Sequence, residues 1–115
     1  MEYEKEFFMK LPKDIYAERN VWFGAWKEYK RISEEAKNIE EKIALEILKQ
    51  IDENGKKLYP NDLLRKEATQ SRLNQMQNYI NLKKRCEQLE IDMAGSQIRS
   101  DFLKNQFDML KVVGL

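Results

Sequence analysis

The chain has 115 residues, enough for one domain with one modest hydrophobic core. Its charged fraction is 36%, its hydrophobic fraction is 42%, and it contains four glycines and two prolines. This composition is typical of long helices or coiled coils and excludes a disordered chain. The formal net charge of +1 argues against a dedicated tight binder of bulk nucleic acid.

The chain has one cysteine, Cys86, and no histidine, so an internal disulfide is impossible and we expect a reducing, cytoplasmic compartment. The acidic N-terminal sequence lacks the apolar segment of a signal peptide, and no apolar run approaches the roughly 20 residues that span a bilayer. Without histidine, the commonest general base and metal ligand is missing. We therefore expect a non-enzyme with no cofactor or metal, no small-molecule substrate and no membrane partner.

Residues 1–11 are predicted to form a separate arm with an apolar patch of Phe7, Phe8, Met9 and Leu11. The arm either docks as a strap on the helical body or stays disordered until it binds a partner. Residues 12–115 are predicted to form an all-α, elongated antiparallel helical hairpin or coiled coil.

The first helix is predicted over residues 13–51, because Pro12 suits the start of a helix and a heptad of apolar residues follows. One heptad position holds Ile15, Trp22, Tyr29, Ala36 and Ile43; the other holds Ala25, Ile32 and Ile39, and the pattern then slips by one position to Ile47 and Ile51. Residues 52–60 form the linker. There Asn54 and Gly55 tolerate the conformation that ends helices, and Asn61 beyond Pro60 is a candidate N-cap.

The second helix is predicted to run from residue 61 to 112. Its heptad positions hold Tyr79, Cys86, Met93, Ser100 and Phe107, and Leu82, Leu89, Ser96, Leu103 and Leu110. Gly95 interrupts this pattern and indicates either a kink or a close helix crossing.

A second apolar stripe lies away from the heptad of the second helix. It consists of Ile91, Ala94, Ile98, Phe102 and Met109. Leaving such large side chains in water forgoes on the order of 1.5–3 kcal/mol each, and patches of this kind usually mark interfaces. The stripe predicts a homo-oligomer; in the alternative, the helix breaks at Gly95 and folds back over its own stripe.

The segment Trp22–Arg31 combines aromatic rings and cations, as surfaces that bind single-stranded nucleic acid do. Because Trp22 also obeys the heptad, the segment is alternatively part of the core. The candidate nucleic-acid contacts are Trp26, Lys27, Lys30, Arg31 and a second cluster of Lys83, Lys84 and Arg85, which with Arg65, Lys66 and Arg72 would form a basic ridge.

The aromatic-basic segment, the polar linker and the final amphipathic helix through residues 98–107 resemble the phage recombination mediator family typified by UvsY. The resemblance implies an all-helical protein that assembles through its C-terminal helix, binds single-stranded DNA and loads a recombinase. It also implies that Lys27, Lys30 and Arg31 line a DNA path. The expected function is therefore that of an oligomeric accessory protein in DNA recombination. The alternative is a coiled-coil protein–protein adaptor or assembly chaperone with no nucleic-acid role.

Overall fold

A computed structural model of the chain describes the backbone of residues 2–114 and the side chains of residues 9–114. Three helices account for most of it: α1 (Glu2–Lys49), α2 (Asp62–Leu73) and α3 (Gln77–Val112). Within the described range, the only extended pairing is an isolated antiparallel bridge between Ile51 and Lys57. The predicted all-α class is confirmed.

The first helix starts earlier than predicted. α1 begins at Glu2 and continues through Pro12, so the described part of the predicted arm, residues 2–11, belongs to this helix and is not separate. Proline removes one backbone hydrogen bond from a helix interior, but Leu11 beside it is fully buried, and this burial offsets part of that cost. Met9 is exposed, whereas the side chains of Phe7 and Phe8 lie outside the described residues.

The linker is held by its own hydrogen bonds. The Asp52 carboxylate accepts the backbone N–H groups of Asn54 and Lys56 at 2.9 and 3.0 Å. Gly55 has a φ of 77°, the left-handed conformation that favours glycine. α1 ends at Lys49, two residues before its predicted end at residue 51. Ile51, expected in the helical core stripe, therefore lies in the linker and is exposed.

The predicted second helix is two helices. α2 begins after Asn61, whose side-chain oxygen accepts the N–H of Leu64 at 2.9 Å, as expected for an N-cap. The helix then ends at Leu73, and α3 starts at Gln77. Leu73 and Tyr79 would point about 120° apart on an unbroken helix, given 3.6 residues per turn. The break lets both side chains enter one core.

Two compact units divide the chain: the first comprises Met1–Tyr29 and Gln88–Leu115, and the second Lys30–Glu87. In the second unit, all three helices contribute to a closed apolar core. Its buried members are Ala36, Ile43, Ile47, Leu73 and Tyr79. Across this unit, the Tyr79 hydroxyl donates a hydrogen bond to the Glu40 carboxylate. Burial, and then the bond to Glu40, raises the pKa of Tyr79 to about 12.

In the first unit, α1 and α3 run antiparallel along a seam that contains small polar side chains. Ser96 is fully buried, and its hydroxyl lies 2.8 Å from the backbone oxygen and 2.9 Å from the carboxylate of Glu18. Arg99 donates from Nε to the same carboxylate at 2.9 Å. Farther along, the Tyr29 hydroxyl donates to Glu90 at 2.9 Å. The bonds from Ser96 and Arg99 lower the pKa of Glu18 below its ordinary value.

The heptads predict most of the buried residues. Those buried at predicted positions are Ile32, Ala36, Ile43, Ile47, Tyr79, Cys86, Leu89, Ser96 and Ser100. α3 is continuous through Gly95. A Cβ atom there would meet only the Arg99 guanidinium, at 3.3 Å, among the described residues outside the local helix backbone. Of the two alternatives for Gly95, the close helix crossing is therefore wrong, and the neighbouring Ser96 contacts α1 instead.

We expect Glu18→Gln to make the free energy of unfolding less dependent on pH in acid. A lowered pKa means that Glu18 stabilises the fold above its unfolded pKa, near 4.5, and that this stability is lost as the pH falls through the folded value. At neutral pH, we expect a loss of about 1 kcal/mol, because Arg99 is partly exposed to solvent. Urea unfolding of the wild type and the variant, at neutral pH and at a pH below 4.5, measures both the loss and its pH dependence.

Glu35→Gln is the matched control for Glu18→Gln. Glu35 also lies near an arginine, Arg31, at 3.8 Å, but both side chains are largely exposed. We expect a change near zero, since exposed ion pairs contribute little. Equal losses in the two variants would contradict a specific role for Glu18.

Tyr79→Phe should reduce stability by about 0.5–1.5 kcal/mol, since it removes the hydroxyl bond to Glu40 and keeps the ring in the core. The neutral phenol is favoured in the folded state, so its contribution is present below the ordinary pKa of 10.0 and is lost as the pH rises through about 12. In an alkaline titration followed by tyrosinate absorbance, the component that ionises at the highest pH should be missing in this variant. The exposed Tyr16→Phe serves as control; a late component that persists in Tyr79→Phe would contradict the assignment.

Candidate functional site

The predicted second stripe of α3 lies on the surface of the first unit. Its large side chains are exposed by 64% at Ile91, 69% at Ile98, 60% at Phe102 and 70% at Met109. Ala94 is exposed as well. We call these five residues the apolar stripe.

The contacts of Glu18 explain why the apolar stripe faces outward. Ser96 and Arg99 both contact Glu18, which fixes the rotation of α3 against α1 in this unit. Ile98 follows Ser96 by two residues, or about 200° around a helix, so it points away from α1. Phe102 lies one turn beyond Ile98 on the same side.

A groove of about 580 Å³ runs beside the apolar stripe. It is lined by Asp14, Ala17, Glu18 and Val21 of α1 and by Ile98, Arg99, Phe102 and Leu103 of α3. Val21 is exposed and extends the apolar surface onto α1. The sequence-based prediction missed Val21, which belongs to no heptad position. It also missed Val112 and Val113, which are exposed at the end of α3 and follow Met109 at helical spacing.

Aromatic side chains gather elsewhere in the first unit, on α1. The rings of Trp22 and Trp26 stack with centroids 6.4 Å apart, and those of Phe23 and Trp26 stack at 5.7 Å. The Nζ atom of Lys27 lies 4.6 Å from the Phe23 centroid, a cation–π contact. We call these four residues the aromatic face. A neighbouring groove of about 410 Å³ includes Arg19 in its lining and brings a second cation to this surface.

The ring contacts within the aromatic face limit what it can bind. Phe23 and Trp26 are exposed, but each already packs against another ring, and Lys27 covers part of Phe23. A nucleobase would stack on the outer ring faces. Trp22 is half-buried, so its position is consistent both with packing in the helical core and with contact to a nucleic acid.

The remaining predicted cations belong to the second unit. Lys30 and Arg31 are exposed on α1, and Arg31 has Glu35 within 3.8 Å. Lys83, Lys84 and Arg85 are exposed on α3. Consecutive helical residues point about 100° apart, so these last three spread around α3 and do not share one face.

The expected basic ridge is partly neutralised by acids. Arg72 forms an ion pair with Glu46 at 2.7 Å. Arg65 forms an ion pair with Asp62 and also donates to the backbone oxygen of Tyr59. Both pairings reduce the positive potential that a phosphate backbone would meet at α2.

Among the described residues, no group of three or more Cys, Asp and Glu side chains is placed to hold a metal ion. No helix in the same part of the chain is both long enough and apolar enough to cross a membrane. Comparisons with protein-family models, curated proteins and solved structures gave no match.

Proposed function

We propose that this protein is a homo-oligomeric accessory protein whose copies assemble through the apolar stripe and present the aromatic face to single-stranded DNA. The observation that carries the proposal is the exposure of Ile91, Ile98, Phe102 and Met109 on one side of α3. A contiguous exposed patch of large apolar side chains usually marks an interface.

Stripe-to-stripe packing gives these side chains the cover that the first unit lacks. That unit contains two helical segments, and a pair of helices buries only the seam between them. Two copies related by a two-fold axis would bring four helical segments around one apolar core, an arrangement typical of stable helical bundles. Each fully buried stripe residue would then contribute on the order of 1.5–3 kcal/mol.

The chemistry of the aromatic face supports the nucleic-acid part of the proposal. Phe23 and Trp26 offer ring surfaces, and Lys27 and Arg19 offer cations close to them. Stacking on aromatic rings combined with phosphate contacts tolerates any sequence. An oligomer repeats this surface, so sites that are weak singly gain avidity.

The partner in this proposal is a recombinase, as the resemblance to phage recombination mediators implies. The second candidate is a coiled-coil adaptor or assembly chaperone that binds only proteins. The net charge of +1 and the ion pairs of Arg65 and Arg72 favour this candidate, because a nucleic-acid surface needs cations that are not already neutralised.

We expect Phe102→Glu to dissociate the oligomer, since the substitution places a carboxylate in the centre of the apolar stripe. The wild-type protein should sediment at micromolar concentration with a mass that is a multiple of 13.8 kDa, and the variant should sediment near 13.8 kDa. Circular dichroism should show that the variant keeps its helices.

Lys104→Glu introduces the same new side chain into α3 at an exposed position outside the apolar stripe. It should leave the mass unchanged. A wild-type protein that sediments as a monomer would overturn the assembly proposal. An oligomer that survives Phe102→Glu would move the interface away from the stripe.

For DNA binding, we expect a labelled single-stranded oligonucleotide to gain anisotropy when titrated with protein at low salt, with an affinity that falls as salt rises. Replacing Lys27, Lys30 and Arg31 together with Gln should weaken binding and reduce the slope of log affinity against log salt, by roughly 0.7 for each phosphate that is no longer neutralised. The chain's two tryptophans both lie in the aromatic face, so their fluorescence reports directly on stacked bases.

The control replaces Lys37, Lys42 and Lys49 with Gln, which removes the same charge from other exposed positions of α1. This variant should keep the wild-type salt slope. If no anisotropy change occurs at low salt, the DNA part of the proposal fails and the protein-binding adaptor remains.

A further inference from the structure

The second unit contains a larger groove, between the C-terminal part of α1 and α2, with a volume of about 1100 Å³. Its floor is apolar and is formed by Ala44, Leu45 and Leu48 of α1 and Leu73 of α2. Leu45 is 54% exposed and Leu48 is 38% exposed, so no described element covers this side. We call this surface the α1/α2 groove.

The packing of the core creates the α1/α2 groove. Ile43 and Ile47 point into the core of the second unit, whereas Leu45 and Leu48 lie on the next face of α1. α2 reaches the same core through Leu73, so it lies beside α1 and leaves a channel between the two helices. Neighbouring helices pack 8–10 Å apart in general, and a channel of this kind accepts the apolar side of a third helix.

The charges at the rim indicate which kind of helix fits. Asp62 and Arg65 form an ion pair and neutralise each other. The remaining charged lining residues are three carboxylates, Glu40, Glu41 and Glu67, and one ammonium group, Lys66. Glu41, Glu67 and Lys66 form no ion pair with any described residue. The rim is therefore net negative above an apolar floor.

From this complementarity, we infer that the α1/α2 groove binds a basic amphipathic helix of a partner protein. The partner helix places apolar side chains at i, i+3, i+4 and i+7 against Leu45 and Leu48, and its Lys or Arg residues meet Glu41 and Glu67. α2 has 12 residues, so the contact extends over about three helical turns. The inference does not depend on the proposed oligomer or on DNA binding.

The apolar stripe of a second copy of this chain is a poorer occupant of the α1/α2 groove. This stripe lies on α3, where Asp101 is one turn from Ile98 and Asp108 precedes Met109. Docking this stripe would bring carboxylates towards Glu41 and Glu67, and juxtaposed like charges oppose association.

The test uses a fluorescein-labelled synthetic peptide of about 14 residues with leucines at helical spacing and lysines elsewhere. The full-length protein is titrated into the peptide and anisotropy is recorded. Two comparison peptides are used: one has every lysine replaced by glutamate, and the other has the same composition without the apolar periodicity. We expect the basic periodic peptide to bind at least about tenfold more tightly than either, a difference of about 1.4 kcal/mol.

The matched variants locate the site. Leu45→Gln with Leu48→Gln should weaken binding of the basic peptide by about tenfold or more, and Glu41→Gln with Glu67→Gln should weaken it and reduce its dependence on salt. Leu63→Gln changes an exposed leucine of α2 outside the groove lining and should leave binding unchanged. Circular dichroism of each variant should match that of the wild type.

Three outcomes overturn the inference: equal binding by the acidic peptide, undiminished binding by the leucine variant, or a change in the protein's own mass in the leucine variant. The last would show that a second copy occupies the groove. Because Phe102→Glu leaves the α1/α2 groove intact, it should bind the basic peptide like the wild type even if the protein proves to be a monomer.

Discussion

A pair of helices can bury only the seam along which they meet, and this constraint explains the exposed surfaces of the first unit. α1 and α3 contribute one segment each, and the seam between them includes Ser96 and Ser100. Small polar side chains contribute little apolar burial, so the contacts that Glu18 makes with Ser96 and Arg99 add to the burial of Leu11 and Leu89 in this unit. The second unit has a third helix, and the core cluster that its three helices share includes two isoleucines one turn apart, Ile43 and Ile47. The apolar stripe therefore lies on the side of α3 that the seam with α1 does not cover.

The sequence predicts many of the buried residues but fewer of the points at which helices begin and end. A heptad reports local helical geometry, which is why Ile32, Ala36, Cys86 and Leu89 were predicted to face inward and do so. The break after Leu73 carries no glycine or proline, and it forms because Leu73 and Tyr79 are both needed in one core. That requirement is tertiary and cannot be read from spacing alone.

The same contrast between local and tertiary information explains why some surfaces could be predicted from the sequence and others could not. The apolar stripe appears in the sequence because all its members lie on one helix. The Glu18 carboxylate, in contrast, finds Ser96 78 residues away, and nothing in the local pattern of either residue indicates the pairing. The α1/α2 groove depends on α2 being a separate helix, so it could not be predicted while α2 and α3 were expected to be one element. Val21 was missed because its contribution depends on the neighbouring Ile98 and Phe102.

Charge distinguishes the partners that we propose for the two apolar surfaces. The apolar stripe and the α1/α2 groove both expose leucine, isoleucine or phenylalanine, and burial alone would let either accept any apolar helix. The groove carries Glu41 and Glu67 at its rim, and the stripe has Asp101 and Asp108 beside it. These carboxylates oppose packing of a copy's stripe into the groove and attract a basic helix there. In stripe-to-stripe packing, an antiparallel two-fold arrangement can turn Asp101 and Asp108 outward to water, where their repulsion is screened. If both proposals hold, specificity between self-assembly and partner binding follows from a few exposed carboxylates, and the apolar residues supply most of the binding energy at either surface.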